Sequence, residues 1–310
     1  PYTEDYMQVI LLGAPFLTSS LTLNNQMRLQ GNANFAMYGI VTGAILNVLL
    51  DPFFIFTCGL GVSGAAWATV VGQFVSFVIL FYMARRGENI AIRFRNFSPS
   101  IQRYKEIFYG GSPSMMRQGL ACVATMSLNF AAGAYGDSAI AAMSIVSRIA
   151  MLSFAVVIGL GQGFQPVCGF CYGAGLYGRL KEAYKFTVTI GTFFLIVLAI
   201  IGWMISGTLI GVFRDDPEVI AIGIVALRWQ LCVFPVNALI LASNMLAQTC
   251  RKPWRANILA AARQGLFFIP LIFILPSYFG LLGVEMCQAV SDVLSFTLTV
   301  PIVIYTFREF

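Results

Sequence analysis

An all-α integral membrane fold, a polytopic bundle of nine transmembrane helices, is predicted by three features of this chain. Nine apolar stretches follow one another, each close to the roughly 20 residues that a helix needs to cross the hydrocarbon of a bilayer. The composition is 58% hydrophobic and only 10% charged, with a mean hydropathy of +0.81, far from a soluble mixture. The basic residues collect in every second gap between the stretches.

The stretches run at roughly 6–28, 36–56, 62–84, 107–134, 138–164, 186–212, 219–248, 255–279 and 282–306. Of the 19 Lys and Arg, Arg28 lies in the first gap, and Arg85, Arg86, Arg93, Arg95, Arg103 and Lys105 lie in the third. Arg179, Lys181 and Lys185 follow span five, Arg251, Lys252 and Arg255 follow span seven, and Arg308 follows span nine. The intervening gaps contain only Arg214; Arg117, Arg148, Arg228 and Arg263 fall within spans. The positive-inside rule then puts these basic gaps and the carboxyl end in the cytoplasm. The net charge of +6 is thereby a topology signal, and a nucleic-acid partner is not expected.

Nine spans with a cytoplasmic carboxyl end place the amino end outside. It opens PYTEDYMQ, with no Met, no basic n-region and no cleavage site. It reads as an external loop between spans, with an odd number of spans expected before it. The basic gap at 85–106 is the one substantial linker, dividing a three-span part (1–84) from a six-span part (107–310). An internal repeat joins them. At an offset of 220, Leu11, Pro15, Leu21, Asn24 and Ala36 match Leu231, Pro235, Leu241, Asn244 and Ala256. At 222, Leu60, Gly61, Val62, Val71, Phe74 and Val78 match Leu282, Gly283, Val284, Val293, Phe296 and Val300. Spans one to three then correspond to spans seven to nine, as parts of a two-lobe 6+6 arrangement with parallel repeats.

Three motifs follow in order: GAPFLTSSLTLNNQMRLQG (13–31) with LNVLLDPFFIF (46–56), GVSGAAWATVVGQ (61–73), and GLGQGFQPVCGFCYGAG (159–175) with LKEAYKF. They resemble the multidrug and toxic compound extrusion (MATE) family, in its bacterial branch, along essentially the whole chain, as the fourth to twelfth spans of twelve. The resemblance implies a secondary antiporter in the bacterial cytoplasmic membrane. It would expel organic, often cationic, compounds in exchange for Na⁺ or H⁺, as a monomer and without a cofactor. A lipid-linked oligosaccharide flippase of the same superfamily is the alternative, and would want a larger, more basic cavity.

Ionisable groups inside spans are functional candidates by default, because they are expensive there. Asp51, before Pro52 in the outer part of span two, is either an ion-coupling carboxylate or an acid that holds a broken helix in shape. Arg148, in mid-span five, is the cationic counterpart, to Asp51 or to an acid upstream of this chain. Asp292 is a second, deeper cavity candidate, whereas Glu285 is expected in water near the outer end of span nine. The amides Asn24, Asn25, Gln162, Gln165, Asn237 and Asn244 can glue helices together or line a cavity. Gln162 and Gln165 stand among Gly159, Gly161, Gly163 and Pro166, where a helix can flex. Family members can carry acids in the first and fourth spans of the second half; here 113–130 and 231–248 contain none, so coupling is expected on Asp51 or upstream. The seven cysteines are read as packing residues, and with no His neither Ser-His catalysis nor His-based metal sites are available. An enzyme is not expected.

Overall fold

The computed structural model describes residues 2–86 and 99–309, with side chains left aside at 2, 3, 5 and 86. Every regular element among them is helical. In lipid this is forced, because a spanning segment must satisfy its backbone N–H and C=O groups internally. Contacts divide the chain into two units, Pro1–Pro99 and Ser100–Phe310.

The first unit is a triplet: α1 (Tyr2–Leu29), α2 (Ala33–Pro52) and α3 (Gly61–Arg86). Helices in a bilayer gain little from hydrophobic association and rely on close packing over small residues. Gly43 of α2 and Gly72 of α3 show this. A Cβ built on Gly43 would lie 2.7 Å from Gly72 O, and one on Gly72 would lie 2.8 Å from Gly43 O. The two backbones touch.

The second unit starts with α4 (Ile101–Gly133), α5 (Asp137–Gly173), α6 (Tyr177–Met204) and the short α7 (Ser206–Gly211). It continues with α8 (Pro217–Thr249), α9 (Pro253–Ala261), a π-helical turn (Ala262–Leu266), α10 (Phe268–Phe279) and α11 (Leu281–Arg308). Start signals are local: Asp216 Oδ1 accepts the Glu218 N–H at 3.1 Å and Pro217 opens the helix, so α8 is capped in the usual way. Helix α8 is central, packing on α5, α6 and α11. Phe234, wholly buried, packs against Phe154 of α5 with ring centroids 5.0 Å apart and the rings tilted by 48°.

Eight of the helical segments are long and apolar enough to span a bilayer among the described residues, one fewer than the sequence suggests. The exception is α4, which is 33 residues long but has Arg103, Lys105, Glu106 and Arg117 in its first half. The expected linker at 85–106 is shorter at both ends, since α3 runs to Arg86 and α4 begins at Ile101. Its middle lies outside the described residues. Helix α5 continues unbroken through GLGQGFQPVCGFCYG, with Pro166 inside it.

The repeat reappears in hydrogen bonds. Asn24 Nδ2 donates to Ala36 O at 2.8 Å. Asn244 Nδ2 donates to Ala256 O at 2.9 Å, 220 residues later. The turns between these helices match as well: Asn32 N–H donates to Met27 O at 2.9 Å, and Lys252 N–H to Ala247 O at 3.0 Å.

Candidate functional site

Asp51 ends α2. Pro52 has no N–H to continue the ladder, so the chain passes into a π-helical turn at Phe53–Thr57, closed by the bond from Cys58 N–H to Phe53 O at 3.1 Å. The carboxylate is half-buried. Asn47 Nδ2 reaches Oδ1 at 3.4 Å and Thr69 Oγ1 at 3.3 Å. No ion pair to Asp51 occurs among the described residues. Its charge is thus met by the Asn47 amide, which Thr69 also contacts, and by no counter-cation among the described residues of its unit.

Asp292 is different. It is wholly buried and receives four donors. Arg263 Nε donates to Oδ1 at 2.7 Å and Nη2 to Oδ2 at 3.3 Å. Gln288 Nε2 donates to Oδ1 at 2.9 Å and Asn237 Nδ2 to Oδ2 at 2.8 Å. The π-turn at Ala262–Leu266 carries Arg263, and Ser291 Oγ donates to the Arg263 carbonyl at 2.6 Å. The guanidinium also lies 4.7 Å from the centre of the Phe154 ring. Such an arrangement neutralises Asp292 and ties the π-helical turn to α8 and α11; it does not present a carboxylate to a cavity.

The other candidates separate in the same way. Asn24 and Asn244 are helix glue, as above, and Asn244 Oδ1 also accepts from Gln248 Nε2 at 2.8 Å. Asn25 is exposed and accepts from Arg28. Gln162 and Gln165 are half-buried on α5. Arg148 is exposed in mid-α5; the ion pair deep in a span is made by Arg263, a residue that the sequence reading passed over. Its position in an apolar stretch was the available signal. Glu285, expected in water, is instead only 7% exposed, on a helix that packs against both α8 and α10. Of the cysteine pair at 168 and 171, Cys168 faces Cys250, the residue just after α8, Sγ to Sγ 3.9 Å. All seven cysteines are free.

Outside the spans, Glu309 is gripped by Arg255 and, at 2.9 Å, by Lys252. Those two cations hold its carboxyl down at about 2, and the bond to Glu309 raises the Lys252 ammonium in return. An apolar cavity of about 540 Å³ lies between the end of α4 and α10, lined by Phe130, Tyr135, Ile272, Phe273 and Pro276 among others. None of the candidates above reaches it.

The sequence model of the MatE family matches residues 113–274, just over half of the chain. The chain belongs to the MatE family. It is therefore a multi-pass membrane protein of a transporter family, not an enzyme family. A multidrug export protein, MepA, of Staphylococcus haemolyticus is 26% identical over 311 residues, covering 99% of this chain and 68% of MepA. MepA of Staphylococcus aureus strain NCTC 8325 is 27% identical over the same shares. Among solved structures, a multidrug resistance MATE transporter in an outward-facing conformation superposes with a TM-score of 0.89 at 26% identity, covering 99% of this chain and 70% of that one. A MOP-superfamily transporter from Pyrococcus furiosus gives 0.91 at 25% identity, covering 98% and 69%.

Proposed function

We propose that this MatE protein is a secondary antiporter that exports organic, often cationic, compounds in exchange for Na⁺ or H⁺. The family match and the likeness to multidrug export proteins support the transport class. The observation that carries the coupling role is the state of the two acids the sequence singled out. Asp292 is already neutralised by Arg263, whereas Asp51 has no cation paired with it among the described residues of its unit. A carboxylate without a counter-ion is costly to enclose, and a bound cation removes that cost. Exchange follows: the site can close over either the coupling ion or a cationic substrate, and stays open when bare.

In this reading residues 1–84 belong to one lobe and 107–310 to the other of a 6+6 transporter, with the carboxyl end in the cytoplasm and the protein in the bacterial cytoplasmic membrane. It works as a monomer and needs no cofactor beyond the coupling ion. Asp51→Asn, tested in proteoliposomes with the full protein, should abolish ion-driven efflux per inserted molecule while substrate still binds. Unaltered ion-driven efflux would remove Asp51 from the coupling step.

A further inference from the structure

One face of α11 is polar although it is buried. Glu285, Gln288, Asp292, Ser295, Thr299 and Thr306 succeed one another at steps of three, four or seven residues, which places them on a single stripe of the helix. All but Gln288 are at most 7% exposed. Apolar residues would serve for packing alone, and a buried polar atom without a partner is costly. Two such atoms lie on or against this stripe: Ser295 Oγ, and Asn237 Oδ1 of α8, beside Asp292. At the start of the stripe, Glu285, a residue only 7% exposed, makes no ion pair among the described residues.

We propose that this stripe is a water-lined proton path, in which Glu285 takes up a proton at one end and the Arg263–Asp292 pair closes the path in mid-membrane. The uptake step is simple. A hydronium ion gives its proton to the Glu285 carboxylate; one O–H bond of hydronium breaks, one forms on the carboxyl, and water is released. Uptake removes a charge that the fold leaves uncompensated. Onward transfer to Asp292 needs bridging water, because seven residues separate the two carboxyls by about 10 Å along the helix. Gln288 stands between them and is already bonded to Asp292 at 2.9 Å. Arg263 is the barrier. A fixed guanidinium beside a narrow path repels hydronium, so protons wait at Glu285 until the pair opens. Ser295 and Thr299 continue the path beyond it.

The charged neighbours of α11 leave Glu285 to itself. On α8, Glu218 bonds Ser138 at 2.8 Å and Arg228 lies over Trp203. On the π-turn and α9, Arg263 is committed to Asp292 and Arg255 to Glu309. Helix α10 carries no charge, and its Tyr278 is exposed. The charges of α4 lie in its first half, and even Arg117 is about 24 Å along the helix from Gly133, the end that adjoins α10. Tyr135, in the turn after α4, comes to this end of α11, its hydroxyl 4.0 Å from a Cβ built on Gly280. On α11 itself, Cys287 turns to Phe268 O at 3.8 Å and Arg308 lies at the far end.

The proposal rests on the antiporter reading only for what the proton drives. Two measurements on the full protein keep them apart. In pH-difference infrared spectra of the purified protein, a protonated-carboxyl C=O band should titrate in wild type, Asp51→Asn and Asp292→Asn. It should vanish in Glu285→Gln and shift in Glu285→Asp, which retains a carboxyl. In liposomes, pH-driven efflux should be lost in Glu285→Gln, and Arg263→Gln, which removes the fixed charge and keeps the Asp292 carboxyl, should leak protons without substrate. A Glu285→Gln protein with the wild-type band and wild-type pH-driven efflux overturns the path. Wild-type protein with the Glu285 band but no efflux under any ion gradient upholds the proton site and overturns the antiporter reading instead.

Discussion

Arg251 stands in the left-handed turn that Gly31 occupies 220 residues earlier, with φ of 53° against 87°. Both residues close the same turn, and each N–H returns to a carbonyl three residues back, Arg28 O at 3.1 Å and Gln248 O at 3.3 Å. The left-handed region costs a residue with a Cβ about 1 kcal/mol or more, and glycine almost nothing. Arg251→Gly should therefore raise the melting temperature of the detergent-solubilised protein, by about 1 kcal/mol of stability. A decrease would mean that the Arg251 side chain contributes more than its backbone costs.

Asn24 and Asn244 should be equivalent in stability because they make equivalent bonds. Either residue changed to Ala loses one amide bond between helices, worth about 1 kcal/mol in a membrane protein. Thermal unfolding of the two single variants and the double variant should give two similar, additive losses, since the bonds lie in separate units.

Breaking the Arg263–Asp292 pair from one side should be far worse than removing both members. Arg263→Met alone leaves a carboxylate buried with only amide donors, a loss of roughly 3–5 kcal/mol. The double variant Arg263→Met, Asp292→Leu should recover most of it. Unfolding of the single and double variants in detergent decides the matter; equal losses would show that the cation–π contact to Phe154, and not the ion pair, is what Arg263 contributes.

The grip on Glu309 has a pH signature. Its carboxyl is held at about 2, below the ordinary 4.5, by Arg255 and Lys252. A depressed acid stabilises the fold fully above its ordinary value, and that contribution fades as pH falls from 4.5 towards 2. The stability difference between wild type and Glu309→Gln should be constant at neutral pH and disappear in that acid window. A difference that persists below it would point to packing, not charge.

Much of this molecule was legible in the chain alone. Length and apolarity set the spans, because a bilayer tolerates few alternatives to a helix; the offset of 220 pairs Asn24 with Asn244, and each makes the same bond to a carbonyl of the following helix. Asp51 next to Pro52 marked a helix break for the same local reason, a missing N–H. The partners were not legible. Which cation meets Asp292 depends on how α9, its π-turn and α11 pack, and Arg263 and Asp292 are separated by 29 residues. Arg148, read as the counterpart of Asp51 or of an acid upstream, is exposed on α5. Glu285 looked water-exposed because it lies near a helix end, yet depth along a helix does not decide burial; neighbours do, and only the tertiary structure supplies them.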